Sequence, residues 1–422
     1  MTLVKTALLV AILSLVPIAV GAQSISGSWS TASSKGFTPR SGLSTVVIGG
    51  KIYAVGGDTV EYSPSTGNVA VATGHFEVFD PLLNSWSTPA SIGSFFDSAS
   101  NEPAACVVDG KIFTIEYRSD TAPGQWHPVI HMYDPTKNSW VVVQSTGESH
   151  WRILSTLNVV GSKIYVVGGF NDSGMVYSVD VFDPATNSWS SPTLSGAMSA
   201  RGEFASAVVN NKIYVVGGGV TDSVDVFDPS INSWSILKTT GTFTNRTALS
   251  ACVLNGKIFA IGGLYRTATE VIYLNIVEVF DPNTNSWSTP TTTGTLTPRR
   301  FLSTAVVNGK IYVMGGENGD GVVITVLNTN EVFTPSTSGV ANQQPMGELE
   351  VSPNPTTGRV FVSGGAGVTS TTVFNLLGEK LFDVEAIDRE NGTIDLSRLS
   401  PGTYYLRIGT VDGMKTKVVV RE

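Results

Sequence analysis

Charge, histidine and cysteine are all scarce in this chain of 422 residues. Only 14% of the residues are charged, and the formal net charge is -8. No basic tract is present to neutralise phosphates, so the composition argues against a nucleic-acid partner. The chain has four His and two Cys, and its sequence contains no metal-ligand cluster, nucleophile elbow or phosphate-binding loop. We therefore expect neither a metal nor a cofactor.

Long apolar runs are confined to the N-terminus. Within residues 1–22, Lys5 precedes a 14-residue run that is apolar apart from one Ser and one Pro, and small residues follow it. This pattern predicts a signal peptide over residues 1–22, so that the mature chain begins at Gln23. An uncleaved membrane anchor is the alternative, but the run is shorter than the roughly 20 apolar residues that a span needs.

A repeated pattern occupies most of the remaining chain. Between successive copies of a Ser-Trp pair, the same elements return in order: an Arg, an apolar run, a Gly-Gly pair and a Val-Phe-Asp-Pro segment. One structural unit is therefore copied along the chain. The Trp residues recur at intervals of about 45 to 57 residues, at Trp29, Trp86, Trp140, Trp189, Trp234 and Trp287.

One of the repeats is divergent. Five repeats carry an Arg sixteen positions before the first Gly of the pair: Arg40, Arg152, Arg201, Arg246 and Arg299 precede Gly56, Gly168, Gly217, Gly262 and Gly315. The second repeat has Ser100 in place of the Arg and Glu116 in place of the first Gly.

The residue types within each repeat predict four β-strands. Runs such as residues 163–167 combine β-branched and aromatic residues, which is typical of inner strands that are covered on both faces. The Gly-Gly pair permits positive φ and a close backbone approach where this strand ends. The Asp-Pro-x-x-Asn-Ser-Trp stretches suit a tight turn, so the third and fourth strands form a hairpin. We expect the Asp of each stretch to be a turn residue rather than a catalyst or metal ligand: Asp80, Asp134, Asp183, Asp228 and Asp281.

This pattern resembles the kelch repeat over roughly residues 28 to 335. The resemblance implies an all-β fold, a β-propeller in which each repeat supplies one four-stranded blade. The last repeat lacks a closing Trp, whereas Trp29 stands alone before the first Arg. We infer that the strand around Trp29 completes the final blade as its outermost strand and so removes free sheet edges. The prediction is a six-bladed kelch β-propeller over residues 23–335, closed by the N-terminal strand.

The two cysteines fall on equivalent innermost strands. Cys106 and Cys252 each stand five residues before the Lys of a Gly-Lys-Ile-Phe run, in repeats two and five. These repeats lie opposite each other in a ring of six, too far apart for a disulfide, which needs Cα atoms within about 7 Å. We therefore expect two buried free thiols.

The composition changes after the last repeat. Residues 336–347 read as a linker, and residues 348–422 alternate strand-like segments with Gly and Pro turns, which predicts a small C-terminal β-sandwich. Pro-Asn-Pro at 353–355, the Leu-Gly-Glu-Lys hairpin and the Leu-Ser-x-Leu-x-x-Gly-x-Tyr signature occur in order. This tail resembles the C-terminal sorting domain of the type IX (Por) secretion system. The resemblance implies passage through the periplasm, engagement of the type IX machinery, and an outer-membrane surface or extracellular destination.

A candidate binding site falls in loops of variable length. The connections from second to third strands, and from each fourth strand to the next first strand, lie at one end of the sheets. Loops on a rigid scaffold commonly carry recognition. Trp126 and Trp151, the two Trp outside the repeated position, fall in these loops. The other residues predicted in or beside them are His75, His127, His150, Glu116, Arg118, Glu148 and Arg152. Together they could line one pocket for a sugar or a peptide. The alternative is that Trp126 packs the long loop of repeat two and that Trp151 covers a blade junction.

The five repeated arginines admit two interpretations. Arg40, Arg152, Arg201, Arg246 and Arg299 precede innermost strands, so they could ring the channel mouth and bind an anionic ligand. They could instead be structural and bond backbone carbonyls between blades.

Three classes of function compete. The first is a binding module that engages a glycan or protein outside the cell, which the lack of catalytic motifs favours. The second is an enzyme. Some kelch propellers act on sugars, among them copper oxidases of the galactose oxidase type and sialic-acid mutarotases; the buried cysteines disfavour an oxidase. A mutarotase would need an acid/base group and an Arg anchor, for which Glu116, Glu148, His150 and Arg152 are the candidates. The third is a structural surface component. We expect a monomer without a transmembrane span, and more readily a binder than an enzyme.

Overall fold

The computed structural model describes residues 25–63, 67–93, 104–119, 126–219, 221–267, 269–319, 323–336, 350–352, 354–363, 368–375, 380–384, 393–410 and 413–422. These residues form strands, turns and connecting segments, with no helix among them, so the all-β prediction is confirmed. The chain divides between residues 337 and 338 into two compact units. The predicted signal peptide and residues 337–347 of the predicted linker lie outside the described residues.

The strands follow the predicted repeats. The N-terminal strand is β1 (Ser26–Ala32). Repeats one and two contain β2 (Ser44–Ile48), β3 (Lys51–Val55), β4 (Asp58–Ser63), β5 (Gly67–Ala72), β6 (Phe76–Asp80), β7 (Ser85–Ser87), β8 (Ala104–Val108), β9 (Lys111–Ser119), β10 (Trp126–Asp134) and β11 (Ser139–Val143). Repeats three and four contain β12 (Thr156–Val160), β13 (Lys163–Val167), β14 (Phe170–Asn171), β15 (Gly174–Met175), β16 (Val179–Asp183), β17 (Ser188–Ser190), β18 (Ala205–Val209), β19 (Lys212–Val216), β20 (Val224–Asp228) and β21 (Ser233–Leu237).

Repeats five and six contain β22 (Ser250–Leu254), β23 (Lys257–Ile261), β24 (Leu264–Arg266), β25 (Val271–Tyr273), β26 (Val277–Asp281), β27 (Ser286–Ser288), β28 (Thr291–Thr293), β29 (Ser303–Val307), β30 (Lys310–Met314), β31 (Glu317–Gly319), β32 (Ile324–Val326) and β33 (Asn330–Pro335). The C-terminal unit contains β34 (Glu350–Ser352), β35 (Arg359–Ser363), β36 (Val368–Phe374), β37 (Lys380–Asp383), β38 (Thr393–Asp395), β39 (Gly402–Thr410) and β40 (Gly413–Arg421).

Repeats one to five each form one antiparallel sheet with its strands in sequence order. The sheets of repeats one to five are β2-β3-β6-β7, β8-β9-β10-β11, β12-β13-β16-β17, β18-β19-β20-β21 and β22-β23-β26-β27. The third and fourth strands pair as the predicted hairpins. The remaining short strands, β4-β5, β14-β15, β24-β25 and β31-β32, form separate two-stranded hairpins within the connections from second to third strands.

The N-terminal strand joins the sheet of repeat six. β1 pairs antiparallel with β33, with Trp29 opposite Phe333. The prediction that β1 is the outermost strand is wrong, because β28 adds to it in parallel and the sheet order is β28-β1-β33-β30-β29. The segment that follows repeat five thus covers the backbone edge of β1, which would otherwise present unpaired N–H and C=O groups.

Neighbouring sheets pack through their first strands. β2, β8, β12, β18, β22 and β29 each contact the next in this order, and β29 contacts β2. Six apolar clusters lie between successive sheets, one of which joins repeats six and one through Tyr312, Met314, Ile52 and Phe79. A cavity of about 160 Å³ is lined by residues at the start of the first strand in all six repeats.

A second contact between neighbouring sheets involves a glycine that lies seven residues after each repeated Trp. Each of these glycines has a positive φ and lies against the Trp of the following sheet. At Gly147 an added Cβ would approach the carbonyl oxygen of Trp189 to 2.7 Å, closer than real Cβ contacts allow. The full set is Gly36 on Trp86, Gly93 on Trp140, Gly147 on Trp189, Gly196 on Trp234, Gly241 on Trp287 and Gly294 on Trp29.

The two cysteines occupy the predicted strands. Cys106 on β8 and Cys252 on β22 are buried and free. Burial raises the pKa of both thiols, that of Cys252 to about 12.

The C-terminal unit consists of two antiparallel sheets that share one core. The sheets are β34-β35-β38 and β37-β36-β39-β40. Fully buried apolar residues from both, such as Val360 and Ile394 in the first and Val373 and Leu406 in the second, form a single cluster. This arrangement matches the expectation of a small sandwich.

Candidate functional site

Most of the predicted site residues lie at one end of the repeat sheets, which we call the variable-loop end. It comprises the connections from second to third strands and the segments that lead into each first strand. The two-stranded hairpins β4-β5, β14-β15, β24-β25 and β31-β32 extend from this end. In repeat two, β9 and β10 are themselves nine residues long and carry Arg118, Trp126 and His127.

The structure brings the two unrepeated Trp residues together. Trp126 begins β10, and Trp151 lies in the segment that leads into repeat three. Their rings stack with centroids 4.4 Å apart and an interplanar angle of 15°. Trp151 also packs against the apolar cluster between repeats two and three, whereas Trp126 is 36% exposed. The Trp151 ring is thus held against the apolar cluster, and the Trp126 ring that stacks on it is exposed to solvent.

The remaining predicted residues of repeat two lie on the other face of the β9-β10 hairpin. Arg118 is directly opposite His127, and Trp126 is opposite Ser119. Because side chains alternate between the two faces of a strand, Glu116, Arg118 and His127 share one face, and Trp126 occupies the other. The single pocket that was predicted is therefore divided by the hairpin, since the sequence did not reveal the register of the two strands.

The face with Glu116 carries a compact charged group. The Glu116 carboxylate accepts a 2.6 Å hydrogen bond from Arg118 Nε and lies 3.1 Å from His131 Nε2. Glu116 and His131 are buried, and the Arg118 side chain is 35% exposed. Both Arg118 and His131 thus engage the Glu116 carboxylate.

In the segment that contains Trp151, His150 is exposed and oriented by a buried carboxylate. Its Nδ1 lies 2.9 Å from Asp180 Oδ1, its backbone N–H donates to Asp180 Oδ2 at 2.8 Å, and its side chain is 58% exposed. The Arg152 guanidinium and hydrogen bonds from Ser191 and His150 hold the pKa of the Asp180 carboxyl below its usual range, against the opposing effect of burial. Glu148, two residues before His150, is exposed.

Arg152 is not presented to a ligand. Its guanidinium is buried, forms an ion pair with Asp180, and donates to the carbonyls of Gly168 at 3.2 Å and Ser178 at 2.9 Å. The proposed anchor role of Arg152 thus conflicts with its position inside the sheet of repeat three.

The other repeated arginines have the same role. Arg40, Arg201, Arg246 and Arg299 have fully buried side chains that pair with Glu77, Asp225, Glu278 and Glu331. The carboxylates come from the third strand of the same repeat, and the carbonyls that the guanidinium groups bond belong to that repeat too. These arginines are structural, as one interpretation held, but they act within a blade rather than between blades. They do not form an exposed anion-binding rim, because burial leaves no guanidinium group accessible.

The acidic residues that pair with the repeated arginines were not predicted, although the sequence contains a pattern that indicates them. Every repeat with the Arg has Asp or Glu two residues before the Phe of the third strand, as in Glu77-Val-Phe79. Repeat two, which lacks the Arg, has His131 at the equivalent position before Tyr133. Because repeat two lacks both the Arg and the acidic residue, the two residues are expected to form an ion pair in the other repeats.

The Asp residues after the third strands are turn residues, as predicted. Asp183 Oδ1, for example, accepts the backbone N–H of Ala185 at 3.0 Å. Equivalent bonds are made by Asp80, Asp134, Asp228 and Asp281.

An unpredicted acidic pair lies where repeats one and six meet. Asp58 and Glu317 are buried, and Glu317 accepts hydrogen bonds from Ser41 and Arg300. Asp58 Oδ1 is buried with no hydrogen-bond partner among the described residues. Burial first, and the negative charge of Glu317 second, raise the pKa of Asp58 to about 6.

Two larger cavities occur at opposite ends of the sheets. One, of about 550 Å³, lies at the variable-loop end and is lined by Tyr265, Arg266 and Arg300 among others. The other, of about 690 Å³, lies between repeats two and three at the opposite end of the sheets, where short turns such as residues 161–162 join the strands. Val141 and Val142 are exposed there. Among the described residues no cluster of His, Cys, Asp and Glu could hold a metal ion. The part of the chain that the structure describes also lacks any helix that could cross a membrane.

Comparison with known families matches both compact units. The Kelch motif matches residues 39–92, 245–292 and 298–338, and the KLHDC2/KLHL20/DRC7 Kelch-repeats domain matches residues 120–263. The secretion system C-terminal sorting domain matches residues 350–421. Among curated proteins, Kelch-like protein 25 of Xenopus tropicalis is 29% identical over 118 residues. The match covers 28% of this chain and 19% of that relative.

Proposed function

Since the chain is a kelch-repeat protein with a secretion-system C-terminal sorting domain, we propose that it is an exported six-bladed propeller that binds carbohydrate through its variable-loop end. The sorting domain directs it through the type IX machinery to the outer-membrane surface or the medium. The propeller is the part that acts there.

The packing of the repeat sheets supports a closed ring of six blades. β1 pairs with β33, and residues after Trp287 and Trp29 contact the following sheets as they do in every other repeat. Backbone hydrogen bonds also run between repeats four to six and one, from Ala248 to Glu203, Phe301 to Ala248 and Gly42 to Phe301. A ring leaves the first strands at its centre and all the variable loops at one end.

The exposed Trp pair is the observation that carries the binding proposal. A flat aromatic surface binds the apolar face of a sugar ring, and nearby polar groups bond its hydroxyls. Trp126 offers such a surface because Trp151 fixes its orientation from beneath. The exposed His150 and Glu148 lie in the same segment as Trp151 and can supply hydrogen bonds.

A glycan array tests this proposal. The mature chain is applied beside Trp126→Ala, with Ile236→Ala as the control, since Ile236 is an exposed apolar residue on β21. We expect a glycan hit that is retained by the control and weakened about fivefold or more by Trp126→Ala, because stacking on an aromatic ring contributes about 1 kcal/mol or more. If the array gives no hit that Trp126→Ala weakens, but a protein is pulled down by the parent chain and not by Trp126→Ala, the ligand is a protein rather than a glycan.

A sugar-acting enzyme such as a sialic-acid mutarotase is the second candidate. His150 favours it, because an exposed imidazole that a buried carboxylate orients is suited to move a proton. Anomer interconversion measured by NMR, with His150→Ala as the variant, separates an enzyme from a binder. A surface component without ligand would give neither array hits nor interconversion.

Export is tested by truncation. We expect a chain that ends at residue 349 to remain in the periplasm of its type IX-competent host, whereas the full chain reaches the surface or medium. Equal export of both forms would contradict the assigned role of residues 350–421.

A further inference from the structure

A second cavity at the variable-loop end shares no lining residue with the Trp pair. Its volume of about 550 Å³ lies within the range of small-ligand sites. The lining comes from repeats four to six, namely from β24, from Gly219 after β19, and from the segments that lead into the first strands. Six of its nine residues have charged, amide or aliphatic hydroxyl side chains, and the others are Leu264, Gly219 and Tyr265.

Two guanidinium groups in this cavity have donors to offer a ligand. Arg266 ends β24, is exposed, and forms no ion pair with any of the described residues. Arg300 donates through Nε and Nη2 to Glu317 at 2.7 and 2.6 Å, which leaves its Nη1 without a partner in the described part of the chain. The contact with Glu317 and a position 4.8 Å above the Phe301 ring hold Arg300 in place. Arg246 also lines the cavity, but its guanidinium is paired with Glu278.

The other lining groups suit hydroxyls and a sugar ring. Glu203 supplies a carboxylate that can accept hydrogen bonds from hydroxyl groups, and Asn245 and Thr247 add neutral polar atoms. Tyr265 is 45% exposed and provides an aromatic surface. An aromatic ring beside several hydrogen-bonding side chains suits a saccharide, which has an apolar ring face and many hydroxyl groups.

We propose that this cavity is a second binding site, specific for a saccharide that bears a carboxylate, such as a hexuronic acid oligomer. The carboxylate binds Arg266 and Nη1 of Arg300, since charge-assisted hydrogen bonds from guanidinium groups are strong and directional. The sugar ring lies against Tyr265, and its hydroxyls bond Glu203 and Asn245.

Calorimetric titration of the mature chain with a galacturonic acid trisaccharide and with its methyl ester tests the proposal. The ester has the same skeleton without the charge. We expect the acid to bind at least tenfold more tightly than the ester. Arg266→Gln should weaken acid binding at least tenfold, and higher salt should weaken it further. Arg266 is exposed, so the thermal midpoint of the variant should equal that of the parent.

Two controls accompany the titration. Lys238→Gln removes a positive charge from an exposed position outside the cavity and should leave acid binding unchanged. Trp126→Ala should also leave it unchanged, so that failure of this inference is distinct from failure of the proposed Trp site.

The inference would be overturned by no binding of the acid, by equal affinity for acid and ester, or by an unchanged affinity in Arg266→Gln. Tighter binding of triglutamate than of the trisaccharide would also overturn it, in favour of an acidic peptide.

Discussion

Gly294 lies against the carbonyl oxygen of Trp29, which an added Cβ would approach to 2.5 Å. The two residues are far apart in sequence, and their contact joins the segment after repeat five to the N-terminal strand. The N-terminal strand is therefore held to the rest of the repeat unit by this contact as well as by the pairing of β1 with β33.

Substitution of Gly294 by Ala should destabilise the repeat unit by about 2 to 4 kcal/mol, because positive φ and the overlap with Trp29 act together. Gly309→Ala is the matched control, since Gly309 has a similar φ of 70° but nothing within 4 Å of the added Cβ. It should cost about 1 kcal/mol. Urea unfolding measures both, and an equal cost would contradict the contact.

The stacked pair should be visible spectroscopically. Two indoles 4.4 Å apart are expected to couple, so Trp126→Phe and Trp151→Phe should each remove the same exciton feature from the far-ultraviolet circular dichroism spectrum. A double-mutant cycle should give a coupling of about 0.5 to 1.5 kcal/mol. Spectral changes that simply add would show that the rings do not stack in solution.

The buried Arg299–Glu331 pair should be far more costly to break than a surface pair. Arg299→Met leaves Glu331 buried and unpaired, so a loss of about 3 to 5 kcal/mol is expected. Lys212→Met breaks a partly exposed pair with Asp228 and should cost at most about 1 kcal/mol. Adding Glu331→Leu to Arg299→Met should recover much of the loss. A similar cost for both single variants in urea unfolding would refute the structural role of the arginine.

The contribution of Asp58 to the stability of the repeat unit should fall as the pH rises from about 4 to 7. Asp58 has its pKa raised from 3.8 to about 6, so the unfolded chain releases this proton at lower pH than the folded chain does. The favourable contribution is complete below the unfolded pKa and is lost as the pH rises through 6, an effect of about 2 to 3 kcal/mol.

Asp58→Asn should remove this slope and increase the free energy of unfolding at pH 7 relative to the parent. Urea unfolding of the parent and of Asp58→Asn at several pH values measures both free energies. Parallel pH profiles of parent and variant would show that Asp58 is not the responsible group.

Both thiols should be unreactive in the folded chain. Burial raises the pKa of Cys106 and Cys252, so little thiolate is present and reagent access is blocked. Ellman's reagent should label neither before urea is added and both afterwards. Rapid labelling of either thiol without denaturant would contradict its burial.

The repeated residues allowed the sheets to be predicted from the sequence. In repeats one to five, each Asp-Pro turn joins the third strand to the Ser-Trp strand of the same repeat, over distances at which sequence spacing determines the pairing. Local sequence patterns also sufficed to recognise the divergent repeat, the buried cysteines and the sorting domain. The spacing of seven residues from each Trp to a Gly was also present in the sequence, but its partner lies in another sheet.

Only the tertiary structure decided which distant side chains meet. Trp126 and Trp151 stack because neighbouring sheets bring them together, whereas strand register places Arg118 on the opposite face of the same hairpin. The repeated arginines are buried because the third strand of each sheet presents an acid to them. Cavities such as that beside Arg266 arise between repeats, where packing of whole sheets rather than local pattern sets the distances.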